Sequence, residues 1–398
     1  MKYLVMLCDG MADIKNEQLG NKTPMECAHK PNMDRMARYG KVGLVKTVPD
    51  TLSPGSDVAN LSCMGYNPLQ CYTGRSPLEA VSMGIQMTDT DLAFRCNLVT
   101  LSDEENYADK TMLDYSGGDI STEEAAELIK AVEENLSSEN LHFFSGISYR
   151  HCLLMSNQTD VFGKLTPPHD ISDRVIGEYL TENEIILSLM QKSYDLLKNH
   201  EINKKRVAEG KRPANSIWLW GQGTKPRVSN FFETRGLKGS VVSAVDLIKG
   251  IGLCAGMTVC DVKDATGYID TNFDGKAQAA IDEFAKGSDF VYLHVEAPDE
   301  CGHRGEAENK VKSIELIDEK ILGRVLPELE KYGDYKVLVM PDHPTPLCTK
   351  THSSEPVPYL VYHKSNEQEN GIDCFCEKAA EESGNILTEG YKIMDILL

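Results

Sequence analysis

The stretch YLVMLCDG, residues 3–10, decides the fold class, because an unbroken apolar run leads directly into an acidic turn. A short apolar run of this kind is typical of a strand buried on both faces, as in a parallel sheet covered by helices. Similar runs, each bounded by Gly, Pro or Asp, recur along the chain: Ser216–Trp220, Val259–Val262, Phe290–Val295 and Lys336–Met340. The sequence therefore predicts a sheet assembled from distant parts of the chain.

Segments with helical periodicity lie between these runs. Glu306–Leu329 places apolar residues at steps of three and four, and Ser243–Ile251 and Lys276–Phe284 follow the same pattern. Strands that alternate with helices predict an α/β core with a mainly parallel sheet flanked by helices.

Residues 90–178 have a different pattern, with few helices between the strand-like runs. The segments that define it are the strand-like Leu92–Leu101, the helical Thr122–Asn135 and the strand-like Ile147–Met155. We expect a smaller α+β domain at 90–178, inserted into a core formed by residues 1–89 and 179–398.

The charge balance excludes one class of partner. The 398 residues include 41 Lys and Arg against 61 Asp and Glu, a formal net charge of −20. Proteins that bind nucleic acids normally carry a basic surface, so we expect no nucleic-acid partner. The sequence leaves the oligomeric state open.

Hydropathy and cysteine usage indicate the compartment. No apolar run approaches the roughly 18–20 residues of a membrane helix, and the N-terminus lacks the pattern of a signal peptide. The 12 cysteines are scattered without a CxxC pair, which favours reduced, buried thiols over disulfides. We therefore expect a soluble cytoplasmic protein.

Acidic residues follow three of the apolar runs. Asp9 follows the first, Asp299 and His303 come shortly after Phe290–Val295, and Asp342-His343 follows Lys336–Met340. A single such acid is commonly a turn or helix-cap residue. Three of them at the carboxyl ends of strands, where ligands bind in open α/β sheets, indicate a site.

The residue types at these strand ends are those of metal ligands. Carboxylates and neutral imidazoles suit Mn²⁺ and Zn²⁺, whereas Mg²⁺ prefers more oxygen ligands. Asp299 and His303 are four residues apart and would share one helix face, and His352 offers a further imidazole. The set predicts a centre for two divalent ions.

A possible nucleophile lies in the loop Pro54–Asn60 (PGSDVAN). Ser56 at a strand-to-helix turn could be a metal-activated nucleophile, and the helix N-terminus would favour a phosphoryl group. The alternative is that Ser56 or Asp57 is an ordinary N-cap, and position alone does not separate the two interpretations.

Several motifs together resemble the cofactor-independent phosphoglycerate mutases of the archaeal type, in the alkaline phosphatase superfamily. They extend in order over nearly the whole chain: Asp9-Gly10, Gly55–Asn60, Gly74–Ala80, Gly236–Gly239, Ala244–Lys249, Ala265–Asp270, Asp299-x-x-Gly302-His303, Pro341–His343 and Thr351–Ser353. The resemblance implies an alkaline-phosphatase-like core and an inserted domain that acts as a lid, with hinges near residues 90 and 178.

The resemblance also implies roles for individual residues. One metal would be held by Asp299, His303 and His352, and the other by Asp9, Ser56, Asp342 and His343. Ser56 would carry the phosphoryl group during turnover, with Ser53 and Ser62 as less favoured candidates. Mn²⁺ is the first expectation, followed by Zn²⁺ and Mg²⁺.

A lid over an anionic substrate should carry basic groups. Arg75 lies in a family motif and is expected to act in catalysis and substrate binding. Further candidates for substrate binding are Arg150, His151, His169, Arg174 and Lys263. Ordinary surface salt bridges are the alternative for each of them, whereas His294, inside an apolar run, is expected to be a hydrogen-bonded core residue.

The resemblance implies interconversion of 3-phosphoglycerate and 2-phosphoglycerate in glycolysis and gluconeogenesis through a phosphoserine, with a small phosphorylated metabolite as the partner. The alternatives are a homoserine kinase-like phosphotransferase of the same subfamily, serving threonine biosynthesis, and a phosphohydrolase. The same metals and serine would serve each of these reactions, so the acceptor is the part that the motifs specify least.

Overall fold

The computed structural model describes residues 1–158, 163 and 165–398. The chain forms two compact units: unit 1 contains Met1–Tyr72 and Arg227–Leu398, and unit 2 contains Thr73–Pro226.

Thirteen strands lie within the described residues. They are β1 (Lys2–Cys8), β2 (Lys41–Val45), β3 (Leu92–Leu101), β4 (Met112–Asp114), β5 (Leu141–Phe144), β6 (Arg150–Met155), β7 (Ser216–Thr224), β8 (Gly239–Val242), β9 (Thr258–Cys260), β10 (Phe290–Val295), β11 (Tyr335–Met340), β12 (Val357–His363) and β13 (Ile386–Leu387).

The described residues also form sixteen α-helices. They are α1 (Pro24–Cys27), α2 (Pro31–Tyr39), α3 (Ser56–Cys63), α4 (Pro68–Cys71), α5 (Ser76–Ser82), α6 (Thr122–Leu136), α7 (Glu184–Leu197), α8 (Glu201–Ala208), α9 (Phe231–Arg235), α10 (Asp246–Cys254), α11 (Phe273–Lys286), α12 (Ala297–Arg304), α13 (Ala307–Leu316), α14 (Gly323–Leu329), α15 (Glu377–Glu382) and α16 (Ile393–Leu397). None of these described helices is long and apolar enough to cross a membrane.

Unit 1 contains an eight-stranded sheet in the order β13-β2-β12-β11-β1-β10-β8-β9. The central strand β1 pairs in parallel with β10 and β11, and β12 runs antiparallel to both β11 and β2. The apolar side chains of β1 and β10 are fully buried in a core shared with the flanking helices. The expected α/β class, with a mainly parallel sheet flanked by helices, is confirmed.

The helical pattern over Glu306–Leu329 contains an irregularity that periodicity did not reveal. Between α13 and α14, residues Ile317–Leu322 form a π-helical segment. Its buried Asp318 accepts hydrogen bonds from the backbone N–H groups of Asn32 (3.1 Å) and Met33 (2.8 Å), in the first turn of α2. The irregular turn thus places a carboxylate where it satisfies N–H groups that have no partner within α2.

Unit 2 contains a five-stranded antiparallel sheet in which β3 pairs with β4, β6 and β7. Its boundaries correct the expected range 90–178. Strand β7 pairs along β3 from Leu92↔Thr224 to Val99↔Ser216, so the inserted unit reaches Pro226. Helix α5 also belongs to it, which moves the start to Thr73. Pairings between such distant segments cannot be detected from the local sequence, which is why the sequence patterns place the boundaries at residues 90 and 178.

The chain enters and leaves the inserted unit at neighbouring points. In unit 1, the Arg227 N–H donates to the Cys71 carbonyl at 3.3 Å. In unit 2, the Thr73 hydroxyl donates to the Thr224 carbonyl at 2.6 Å. The two ends of each unit are therefore fastened together by hydrogen bonds.

Candidate metal centre

Three neighbouring parallel strands bring acidic residues to one edge of the unit 1 sheet. Asp9 follows β1 directly, Asp342 follows β11, and Asp299 lies in the first turn of α12 after β10. The carboxyl ends of adjacent parallel strands meet at the same sheet edge. All three carboxylates are buried, with Asp342 fully enclosed and Asp9 only 1% exposed.

One cluster at this edge consists of Asp9, Asp342 and His343, whose ligand atoms all lie within 4.8 Å of one another. His343 Nε2 is 3.6 Å from Asp9 Oδ1 and 3.4 Å from Asp342 Oδ2. Asn60, on α3, donates to Asp342 Oδ2 at 2.8 Å and so fixes the orientation of that carboxylate.

A second cluster contains Asp299, His343 and His352. His303 is close to it, with Nε2 3.2 Å from Asp299 Oδ2 and 2.9 Å from His352 Nε2. The resemblance assigned His343 to the Asp9 site alone. In the structure His343 belongs to both clusters and lies where the two groups meet.

Ser56 is the first residue of α3, and its Oγ lies 3.2 Å from His343 Nε2. Gly55 is the N-cap and the helix has no side-chain cap, so neither Ser56 nor Asp57 caps it. Asp57 instead accepts a 2.6 Å hydrogen bond from the Tyr72 hydroxyl. Of the alternative serines, Ser62 is buried and donates to the Thr47 carbonyl, whereas Ser53 is exposed.

Gly10 allows the carboxylates to approach one another. Its φ of +60° is left-handed, and a Cβ there would lie 2.5 Å from Asp299 Oδ1. Its N–H donates to Asp342 Oδ1 at 3.1 Å. Any side chain at this position would displace a candidate ligand. This explains why a glycine follows Asp9 at the end of β1.

The electrostatics of the edge suit bound cations. Burial, followed by the charges of Asp342 and Asp299, raises the pKa of Asp9, and Asp9 Oδ1 is buried without a hydrogen-bond partner among the described residues. Burial also lowers the pKa of His343 and so favours its neutral, ligating form. Carboxylate oxygens and neutral imidazole nitrogens fit a divalent ion such as Mn²⁺ or Zn²⁺.

Asp299 differs from Asp9 because histidines surround it. Burial would raise the pKa of Asp299, but hydrogen bonds from His303 and His352 outweigh burial and lower it. The hydrogen bond to Asp299 also raises the pKa of His303 to about 9. Hydrogen bonds from the two imidazoles thus offset the burial of this carboxylate.

His294 is the residue whose importance the sequence did not reveal. It is fully buried and hydrogen-bonded, as expected for a core residue, but its Nε2 lies 2.8 Å from Asp9 Oδ2. Its Nδ1 lies 3.1 Å from the Ser243 hydroxyl, and burial lowers its pKa to about 3. The pairing of Leu7 with His294 places it beside Asp9, and that register was the missing signal.

Two of the basic candidates of unit 2, Arg75 and Arg150, act on Glu79 together with Arg95. Arg75 Nε and Arg95 Nη1 lie 2.8 Å and 3.1 Å from Glu79 Oε1, and the charge of Arg150 also acts on this carboxylate. Burial would raise the pKa of Glu79, but the arginines outweigh it and lower the pKa. Arg95 was missed because it lies within the apolar run of β3. It stacks 5.0 Å over the Trp220 ring.

The other basic candidates lie in three different settings. The His169 ring packs edge-on against Trp220 at 5.3 Å, and the charges of Arg95 and Arg75 act on it. His151 is buried, and its Nδ1 accepts from the Gly146 N–H. Arg174 donates to the Tyr179 hydroxyl at 3.2 Å, and Lys263 is exposed in unit 1.

Comparison with known proteins identifies relatives over the full length. The profile of the family described as 2,3-bisphosphoglycerate-independent phosphoglycerate mutase matches residues 37–203. A probable mutase of that description from Geobacter sulfurreducens is 47% identical over 405 aligned residues, covering 100% of both chains. A mutase of the same description from Methanosarcina mazei is 45% identical, again covering 100% of both chains.

A solved structure agrees with this similarity. The structure of a protein from Pyrococcus horikoshii superimposes with a TM-score of 0.84 at 29% identity, covering 100% of this chain and 96% of the other.

Proposed function

Because this chain belongs to the 2,3-bisphosphoglycerate-independent phosphoglycerate mutases, which are isomerases, we propose that it moves the phosphoryl group of phosphoglycerate between two hydroxyls by way of Ser56. The observation that supports this route is the position of Ser56 Oγ, 3.2 Å from His343 Nε2, where the two ligand clusters meet. Its hydroxyl is not used for helix capping and is therefore available for reaction.

Two divalent ions are proposed to bind at the sheet edge. Asp9, Asp342, His343 and Ser56 would hold one, and Asp299, His303 and His352 would hold the other, with His343 within reach of both. When bound, such ions lower the pKa of a coordinated hydroxyl and shield the charge of a transferring phosphoryl group. Mn²⁺ is the first candidate, followed by Zn²⁺ and Mg²⁺.

The residues around these ligands orient them for the reaction. His294 holds Asp9, Asn60 holds Asp342, and the Thr345 hydroxyl donates to Asp299. Hydrogen bonds from the protein thus fix the orientation of all three carboxylates, and Asp342 also accepts from the Gly10 N–H at its other oxygen.

Transfer would proceed in two balanced steps. In the first, Ser56 Oγ forms a bond to phosphorus as the bond to the 3-oxygen of glycerate breaks, and the serine proton ends on that oxygen. Bound glycerate then presents its 2-hydroxyl, which attacks the phosphoserine, and the proton returns to Ser56. Attack by water instead would release phosphate, so the site must exclude water during this interval.

The arginine cluster of unit 2 is proposed to bind the anionic groups of the substrate. Arg75, Arg95 and Arg150 supply guanidinium groups that match carboxylate and phosphate geometry. Glu79 is shared between Arg75 and Arg95 and orients both. That the inserted unit closes as a lid stays a prediction.

A coupled assay tests the proposal. Metal-loaded protein is supplied with 3-phosphoglycerate and no 2,3-bisphosphoglycerate, and the appearance of 2-phosphoglycerate is followed. We expect isomerisation and radiolabel from the phosphoryl group trapped on Ser56 after rapid quenching. ATP with homoserine serves as the comparison, and turnover with that pair alone would reject the mutase assignment. Label on another residue would reject Ser56.

A further inference from the structure

Two cysteines outside the metal centre form a pair before α15. Cys374 is half-buried and Cys376 is buried, and only Phe375 separates them in the chain. The Phe375 N–H donates to Asp34 Oδ1 at 2.8 Å, which anchors the segment to α2. Both cysteines are free thiols, so their chemistry is unused by the fold.

A buried cation adjoins the first of these thiols. Lys30 is 1% exposed, and its Nζ lies 3.2 Å from Cys374 Sγ and 3.0 Å from Asp34 Oδ1. An ammonium group removed from water requires anionic partners. A thiolate at Cys374 would give Lys30 a second one, beside Asp34.

The second thiol acts as a donor to the first. A hydrogen bond from Cys376 lowers the pKa of Cys374 to about 6, and Lys30 contributes in the same direction against the effect of burial. The same hydrogen bond raises the pKa of Cys376. Together with the Lys30 contact, these shifts favour a thiolate at Cys374 and a protonated thiol at Cys376.

A cavity gives access to this pair. It has a volume of about 630 Å³, and both cysteines line it together with Lys41, Asn370 and Lys378. A space of this size accommodates a small organic molecule. The lining is largely polar, with lysine and acidic side chains, which suits a polar ligand better than an apolar one.

We propose that Cys374 is a modification site that takes up low-molecular-weight disulfides by thiol–disulfide exchange. The Cys374 thiolate attacks one sulfur of the disulfide, a new S–S bond forms as the original one breaks, and the second half leaves as a thiolate that takes a proton from water. The small disulfide is the oxidant, so no other co-reactant is needed.

The first experiment compares alkylation rates within one molecule. Folded protein is treated with iodoacetamide at pH 6, and each cysteine is followed by peptide mass mapping. Cys348, which is exposed, is the internal control. At pH 6 a thiol of pKa near 6 is about half ionised, whereas an ordinary thiol is about 0.3% ionised. The thiolate of lower pKa is the weaker nucleophile, which reduces the expected rate advantage of Cys374 to roughly tenfold.

Faster alkylation of Cys374 than of Cys348, by about this factor, supports the proposal. An equal or slower rate for Cys374 overturns it.

The second experiment tests the two groups that create the thiolate. Cys376→Ala removes the donor and Lys30→Met removes the cation, and each should slow alkylation of Cys374 at pH 6 by at least about threefold. Lys30 is buried, so a folded Lys30→Met protein is confirmed by its melting curve. If that variant does not fold, Cys376→Ala still decides, because an unchanged rate overturns the proposed mechanism.

The final experiment uses glutathione disulfide as the probe. We expect one glutathionyl adduct on Cys374, reversible with a reducing agent and absent in Cys374→Ser. An adduct that forms first on Cys348, or that persists in Cys374→Ser, would overturn the assignment.

Discussion

Buried charges are compensated differently in the arginine cluster of unit 2 and at the sheet edge of unit 1. At the sheet edge, Asp9 and Asp342 converge with no Lys or Arg among the described residues that donates to either carboxylate. In unit 2, the buried Arg95 has its counter-ion, Glu79, within the same unit. The comparison indicates that the carboxylates of unit 1 would be stabilised by bound cations, whereas Arg95 already has a counter-ion within unit 2.

The largest effect is expected at the nucleophile of the first region. Ser56→Ala should lower kcat for isomerisation by at least about a thousandfold, because the proposed route loses the oxygen that takes up the phosphoryl group. The melting temperature of the metal-free protein should change little, and steady-state kinetics with thermal melts in chelator will measure both effects. Ser53→Ala, an exposed serine in the preceding loop, is the matched control and should keep full activity. Retained activity in Ser56→Ala would remove the proposed intermediate.

Removing the counter-ion of Arg95 should destabilise unit 2. Glu79→Gln leaves Arg95 without its carboxylate and should lower the free energy of unfolding by about 3 kcal/mol. Both tryptophans of the chain, Trp218 and Trp220, lie on β7, so their fluorescence in a urea titration reports this unit. Glu178→Gln, a change of the same type in the same unit, is the control. An equal shift in both variants would show that Glu79 is an ordinary surface acid.

Adding metal ions should stabilise unit 1 by compensating the carboxylates at its sheet edge. Mn²⁺ at 100 times its dissociation constant should stabilise unit 1 by about 2.7 kcal/mol, since it binds only the folded state. Calorimetric melting with and without a chelator measures the gain. Asp9→Asn should abolish the gain.

In chelator, the same Asp9→Asn variant should be more stable than the native protein by about 1 kcal/mol, because burial penalises the Asp9 charge. Destabilisation in chelator would mean that Asp9 already has compensation within the protein.

The smallest expected effect is a pH dependence in unit 2. The folded-state pKa of Glu79 is lowered, so its stabilising contribution is present above the unfolded pKa of about 4.3 and is lost as pH falls through the folded value. The stability difference between native protein and Glu79→Gln should therefore be constant from pH 6 to 7 and shrink below about pH 4. Urea titrations monitored by tryptophan fluorescence test this, and a difference that grows on acidification would contradict it.

The two regions also differ in how far their sequence predicts them. Asp9, Asp299 and Asp342 could be found because each follows an apolar run, and runs in parallel strands end at one edge. The contact of His294 with Asp9 could not, because it depends on the register between β1 and β10. That His343 belongs to both clusters likewise depends on side-chain direction rather than on order in the chain.

Unit 2 was harder to predict because its pairings are distant in sequence. Strand β7 lies more than a hundred residues after its partner β3, so the boundary at 178 followed local composition and missed it. Arg95 was hidden in an apolar run, where its charge is stabilised by Glu79 and by the face of Trp220. Such compensation is visible only once the contacts are known.

The hydrogen bonds that join the chain ends of each unit bear on how the inserted unit could be replaced. Since Arg227 is bonded to Cys71 and Thr73 is tied to Thr224, the ends of each unit are already close without the other. Replacing everything between them would therefore change the chain entropy of unit 1 little, because loop closure depends only weakly on the length of the loop. An insertion whose ends are joined in this way could be exchanged at little cost to the fold of unit 1.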